Sequence, residues 1–100
     1  MTPGQAQTLI QNAQAYQSSG RLLEAFSACQ LVLKSRPRDF GANYLMGGLH
    51  AQKGDIEGAV KFFKAAVKIN PDFWDARYNL AYALNLLGMH QEPCAITKKF

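Results

Sequence analysis

Residues 40–72 read FGANYLMGGLHAQKGDIEGAVKFFKAAVKINPD. Apolar residues recur at helical spacing up to Gly54, and a second such pattern runs from Ile56 to Ile69 before Asn70-Pro71-Asp72 stops the chain. Displaced by 34 residues in either direction, the stretch lines up with its neighbours. Gly20, Gly54 and Gly88 fall in register, as do Pro37 and Pro71, Ala25 and Ala59, Ala42 and Ala76, Lys34 and Lys68, and Phe40 and Trp74. A fixed period of this size marks supersecondary units that cannot bury their apolar faces alone and stack to share one core. The expected fold is all-α, built from antiparallel helix pairs in a single domain over 1–100. Its units are 6–39, 40–73 and 74–100, the last truncated or irregular.

Outward from this stretch, a first helix is expected over about Pro3 to Ser18, with Thr2 as its N-cap and Gly20 suited to a left-handed C-terminal cap. A second runs from Leu22 to Ser35, with Ala25, Cys29, Val32 and Leu33 inward. Arg36 and Arg38 suit its carbonyl end, Pro37 stops it, and Asp39 can cap the next helix. Helices three and four cover about Phe40 to Gln52 and Ile56 to Ile69, with Asp55 as the cap between them. The pair Gly47-Gly48 is poor for helix propensity and implies close approach of another helix backbone, with Ala59 as its small counterpart. A fifth helix is expected from Phe73 to Leu87, ended by Gly88. Pro93 then stands where the register calls for alanine, so the third unit departs from the pattern.

Composition narrows the function classes. The 100 residues are 48% apolar and 18% charged, with net charge +4, and this balance suits a small packed domain. No apolar run has the length of a membrane span, and no basic-then-apolar leader opens the chain; a cytoplasmic setting is expected. Lys61, Lys64 and Lys68 share one helix face and, with Lys34, Arg36 and Arg38, read as a solvated outer surface. Charge of this density is common on a solvated convex face, which argues against nucleic-acid binding. Cys29 and Cys94 lie at unlike places in the repeat and form neither a metal-type spacing nor a disulfide framework. No HExxH, GxSxG or phosphate-cradling glycine loop occurs, so no catalytic constellation, metal site or cofactor is expected. His50 reads as a core histidine in place of a packing aromatic.

These marks together resemble the tetratricopeptide repeat family. With units counted from Ala6, Phe40 and Trp74, the family's small residue at the eighth place is Ala13, Gly47 and Ala81. Its turn glycine occurs three times. The later alanine is Ala25 and Ala59, the aromatic of the second helix is Phe63, and the closing proline is Pro37 and Pro71. The family's early tryptophan is absent throughout. The resemblance covers residues 6 to 88. It implies a right-handed superhelix, about two and a half to three units long, whose first helices line a concave groove. Its members are scaffolds for a peptide or protein segment, not enzymes.

The resemblance places Ile10, Gln14, Gln17, Tyr44, Gln52, Tyr78, Asn79, Tyr82 and Asn85 in the groove of helices 1, 3 and 5. This lining is neutral and rich in amides, which both donate and accept hydrogen bonds. The family's clamp for acidic chaperone tails falls on Ile10, Gln14, Leu45, Asp75 and Asn79. Only Asn79 fits, which argues against that class of ligand. Asn79 is instead similar to the asparagine rungs of repeats joined to sugar-transferring enzymes, so a rival reading is an N-terminal module of a glycosyl- or sulfotransferase. A third expectation concerns the chain's last helix. Trp74, Leu80, Leu84, Leu87 and Phe100 read as an uncovered apolar end suited to self-association, with the 90–100 segment exchanged between copies.

Overall fold

In the computed structural model five α-helices follow one another: α1 (Pro3–Ser18), α2 (Leu22–Ser35), α3 (Phe40–Gln52), α4 (Ile56–Ile69) and α5 (Trp74–Gln91). The structure describes residues 1–91, with side chains through residue 88; the expectations for Phe100 and for exchange of the 90–100 segment lie outside the described residues. No strand occurs among the described residues. α1 packs on α2 and α3 on α4, so each unit is a helix pair, and α2–α3 and α4–α5 contacts join consecutive units.

Local chemistry explains where α1 and α3 begin and end and where α4 begins. Thr2 Oγ1 accepts from the Gln5 N–H, and Gln5 Oε1 accepts in return from the Thr2 N–H. This reciprocal box satisfies two N–H groups that the helix itself leaves unpaired. Asp39 Oδ1 accepts from the Ala42 N–H at 2.9 Å and Asp55 Oδ1 from the Gly58 N–H at 3.0 Å. Both helix-to-helix turns within a unit close on a glycine at positive φ, Gly20 at 80° and Gly54 at 91°. Beyond each, the next N–H reaches back across the turn: Arg21 to the Tyr16 carbonyl and Asp55 to the His50 carbonyl, both at 2.8 Å.

Gly88 differs. It has no positive φ, and α5 runs on through it to Gln91, one turn beyond the end expected from sequence. A glycine in the right-handed conformation costs helix stability but does not terminate the helix.

The core forms at the junctions between helices. Ala13, Ala25, Ala28, Cys29, Leu45, Met46 and Leu49 make one buried cluster across units one and two. Ala59, Val60, Phe63 and Ala83 make another across units two and three, with Leu80 and Leu87 packed against it. Gly47 serves this packing differently from the sequence expectation. The atoms nearest to where its Cβ would stand belong to the Phe63 ring, two of whose carbons would lie 2.6 Å away. Gly48 faces the Gln17 amide, 3.2 Å from where its Cβ would be. Ala81, in the register of Ala13 and Gly47, is exposed where those two are buried. Among the described residues no second helix follows α5 to cover it.

The Asp55 cap makes stability depend on pH. The Gly58 N–H, and then His50 with Nδ1 3.0 Å from Oδ2, hold the Asp55 carboxyl below its ordinary value of 3.8, against partial desolvation. A carboxylate with a lowered folded pKa contributes stability that is complete above the unfolded value. That stability is lost as pH falls through the folded one. Urea midpoints should therefore decline as pH drops below about 4, and Asp55→Asn should flatten that part of the curve. A parallel decline in the variant would assign the effect to other carboxylates.

Candidate functional site

α3 is joined to α1 and to α5 by two side-chain hydrogen bonds, each spanning 35 residues. Gln17 Nε2 donates to Gln52 Oε1 at 3.0 Å, and Asn79 Nδ2 donates to the Tyr44 hydroxyl oxygen at 3.0 Å. The first bond joins the late part of α1 to the end of α3, and the second joins the middle of α3 to the first half of α5.

Tyr44 is the most firmly held of these side chains. Its ring stacks on Phe40 at 5.8 Å, meets Phe73 edge-on at 5.4 Å and lies 5.9 Å from Phe63. Three neighbouring rings thus fix the phenol at the junction of units two and three. Burial, followed by the negative charge of Asp75, raises its pKa above the ordinary 10, and the Asn79 bond opposes this only in part. The hydroxyl is therefore neutral near pH 7. It accepts from Asn79 and keeps its own proton to offer a second acceptor.

Beside this pair a cleft of about 420 Å³ opens between α3, α4 and α5, with Gly48, Ile56, Phe63, Asn79, Tyr82 and Leu86 in its walls. A smaller one of about 260 Å³ lies between α1 and α3, where Gln7, Ile10 and Gly41 meet Arg36 and Asp39. The two clefts and two hydrogen bonds bring together Ile10, Gln17, Tyr44, Gln52, Asn79 and Tyr82. Gln14 and Asn85 are exposed and line neither cleft, and Tyr78 is 70% exposed on the flank of α5. Leu45, a groove position by register, is buried in the core instead.

Ile56 and Phe63 were missing from the sequence reading of this surface. They belong to α4, and their spacing marks them only as core; that α4 floors the cleft depends on how the helices pack.

The self-association residues divide. Trp74 is 75% and Leu84 43% exposed, whereas Leu80 and Leu87 are half-buried against α4.

On the far side, His50 sits between the Phe62 ring, stacked at 5.2 Å, and the Phe26 ring, edge-on at 5.1 Å. It fills the place of a packing aromatic, as its register predicts.

Cys29 is fully buried, and desolvation, aided by Asp39, pushes its thiol up to about 12. It should react only through unfolding. In a Cys94→Ser background, alkylation of the native protein is expected to be roughly a thousandfold slower than in denaturant. Comparable rates would show an accessible Cys29. Among the described residues no three His, Cys, Asp or Glu side chains gather as metal ligands. No helix there is long and apolar enough to cross a membrane.

Helix pairs stacked at a fixed interval along the chain define a helical-repeat fold. Comparison with known proteins gives the class a name. The family model described as TPR repeat matches residues 47–88 and supports assignment of the chain to the tetratricopeptide repeat family. Such repeats generally mediate protein–protein interaction and typically carry no catalytic chemistry. An uncharacterized protein of Methanocaldococcus jannaschii is 41% identical over 49 residues, 49% of this chain and 57% of that protein. The chain thus spans a little over half the length of the curated relative it matches.

Proposed function

We propose that the chain is a scaffold that holds an extended segment of a protein partner along the face of α1, α3 and α5. The Tyr44–Asn79 pair beside the 420 Å³ cleft carries this reading. The pair is neutral, held in place by the surrounding rings, and presents both a donor and an acceptor, as a peptide backbone requires. Apolar walls from Ile56, Phe63 and Leu86 suit a side chain of the bound segment. Gln17 and Gln52 extend the amide surface toward the first unit, and Ile10 borders the second cleft. The charges beside it, Asp75 near Tyr44 and the Arg36 and Asp39 pair at the second cleft, do not form a cationic clamp for an acidic tail, and a segment neutral at its contacting residues fits it better.

Selection from a displayed random-peptide library, followed by fluorescence polarisation, tests this. Enriched peptides should be neutral, bind with little salt dependence, and lose roughly tenfold or more in affinity for Asn79→Ala/Tyr82→Ala. Leu23→Ala, on the outer face of α2, should leave binding unchanged. Peptides lost with the α2 variant and kept by the α5 variant would overturn the assignment.

A further inference from the structure

Among the described residues nothing covers the face of α5 turned away from α4. Trp74, Arg77, Tyr78, Ala81, Leu84 and Asn85 are all exposed on it, and the half-buried Gly88 continues their stripe. We infer that this face pairs with the same face of a second copy, as an antiparallel α5–α5 contact with its two-fold axis at Ala81.

Three observations select this occupant. First, the stripe is self-complementary about Ala81. Trp74, Ala81 and Gly88 recur every seven residues, so they share one side of the helix. An antiparallel copy sets Trp74 over the partner's Gly88, Tyr78 against the partner's Leu84, and Arg77 against the partner's Asn85. A ring filling a glycine position is the contact this chain already makes internally, where Phe63 occupies the space beside Gly47. Isologous pairing requires such a pattern.

Second, the area is sufficient. Aromatic side chains each cover about 150–250 Å², so Trp74 at 75% and Tyr78 at 70% exposure offer roughly 300 Å² between them. With Leu84, Arg77 and Asn85 a copy's share reaches roughly 500 Å², and the pair roughly 1,000 Å², the lower bound for a specific interface.

Third, charge does not oppose it. Arg77 lies over the Trp74 ring at 5.1 Å. The two Arg77 residues would be separated by about 12 Å along the helices, beyond the screening length of about 10 Å in ordinary salt.

The chain's own in-register continuation is a poorer match. Pro93 and Thr97 stand where the second unit has Ala59 and Phe63, and supply neither the small residue nor the ring.

A modest area predicts a reversible dimer with a dissociation constant on the order of 10 µM or weaker. Sedimentation of the full chain should show a monomer–dimer equilibrium. Trp74 is the single tryptophan, so its emission should shift to shorter wavelength as concentration rises. Ala81→Arg, at an exposed position, should keep the helical circular dichroism and abolish both effects. It should leave peptide binding on the α1–α3–α5 face intact, which separates failure of this inference from failure of the scaffold reading. In a Cys94→Ser background, Ala81→Cys should form a covalent dimer on mild oxidation, and Ser27→Cys on α2 should not. A strict monomer at every concentration, a dimer that survives Ala81→Arg, or equal cross-linking at both sites would overturn the inference.

Discussion

Leu49→Ala is expected to lower the free energy of unfolding by about 3 kcal/mol. Leu49 has no exposed surface and is among the largest fully buried side chains. It lies in the cluster where Ala13 of α1, Ala25 and Cys29 of α2, and Met46 of α3 converge. Shortening it removes apolar area from the contact joining units one and two and leaves a cavity that helices anchored at both ends cannot fully close. A small domain holds roughly 5–15 kcal/mol in all, so this one change should consume a large part of the total. Urea denaturation followed by circular dichroism would show the midpoint falling with little change in slope. Leu23→Ala, at a leucine 83% exposed on α2, should stay within about 0.5 kcal/mol. Equal losses at the two leucines would contradict the assigned core.

Gly47→Leu should cost a similar amount, about 3 kcal/mol, by the opposite mechanism. Even a Cβ at this position would lie 2.6 Å from two carbons of the Phe63 ring. That ring is 4% exposed and lies against Tyr44, so it cannot swing aside freely. Leucine is a good helix former, worth about 1 kcal/mol over glycine in propensity, so a net loss isolates the clash. Ala81→Leu makes the same enlargement one unit later, at an exposed position. It should alter monomer stability by no more than about 0.5 kcal/mol. Comparable destabilisation at both positions would mean that α5 is covered as α3 is.

Much of this was legible in the sequence because a period is a strong constraint. The 34-residue register of Gly20, Gly54, Pro37 and Pro71 placed the boundaries of α1 to α4 where the structure has them. The turn glycines and the capping side chains Thr2, Asp39 and Asp55 act within a few residues of themselves, so their roles do not depend on distant partners. Gly88 misled for the same reason. Glycine permits the left-handed cap but does not impose it, and the bond that closes such a turn requires the chain to reverse there.

Positions that share a register differ once a neighbouring helix is present or absent. Ala13, Gly47 and Ala81 are one position in the repeat, but the first two are buried and the third faces outward. Leu80 and Leu84 are alike in chemistry and one turn apart, and only Leu80 packs against α4. The family resemblance assigned Tyr44 and Asn79 to one groove; it did not predict their hydrogen bond or the cage of rings around the phenol.

The sequence by itself determined the all-helical class, the length of the unit and its caps, because these are set by propensity, capping and periodicity over a few turns. The tertiary structure alone decided which ring fills Gly47, which α4 residues floor the cleft and which half of α5 is left open. Those outcomes depend on the relative placement of helices far apart in the chain, and burial depends on which helix is opposite.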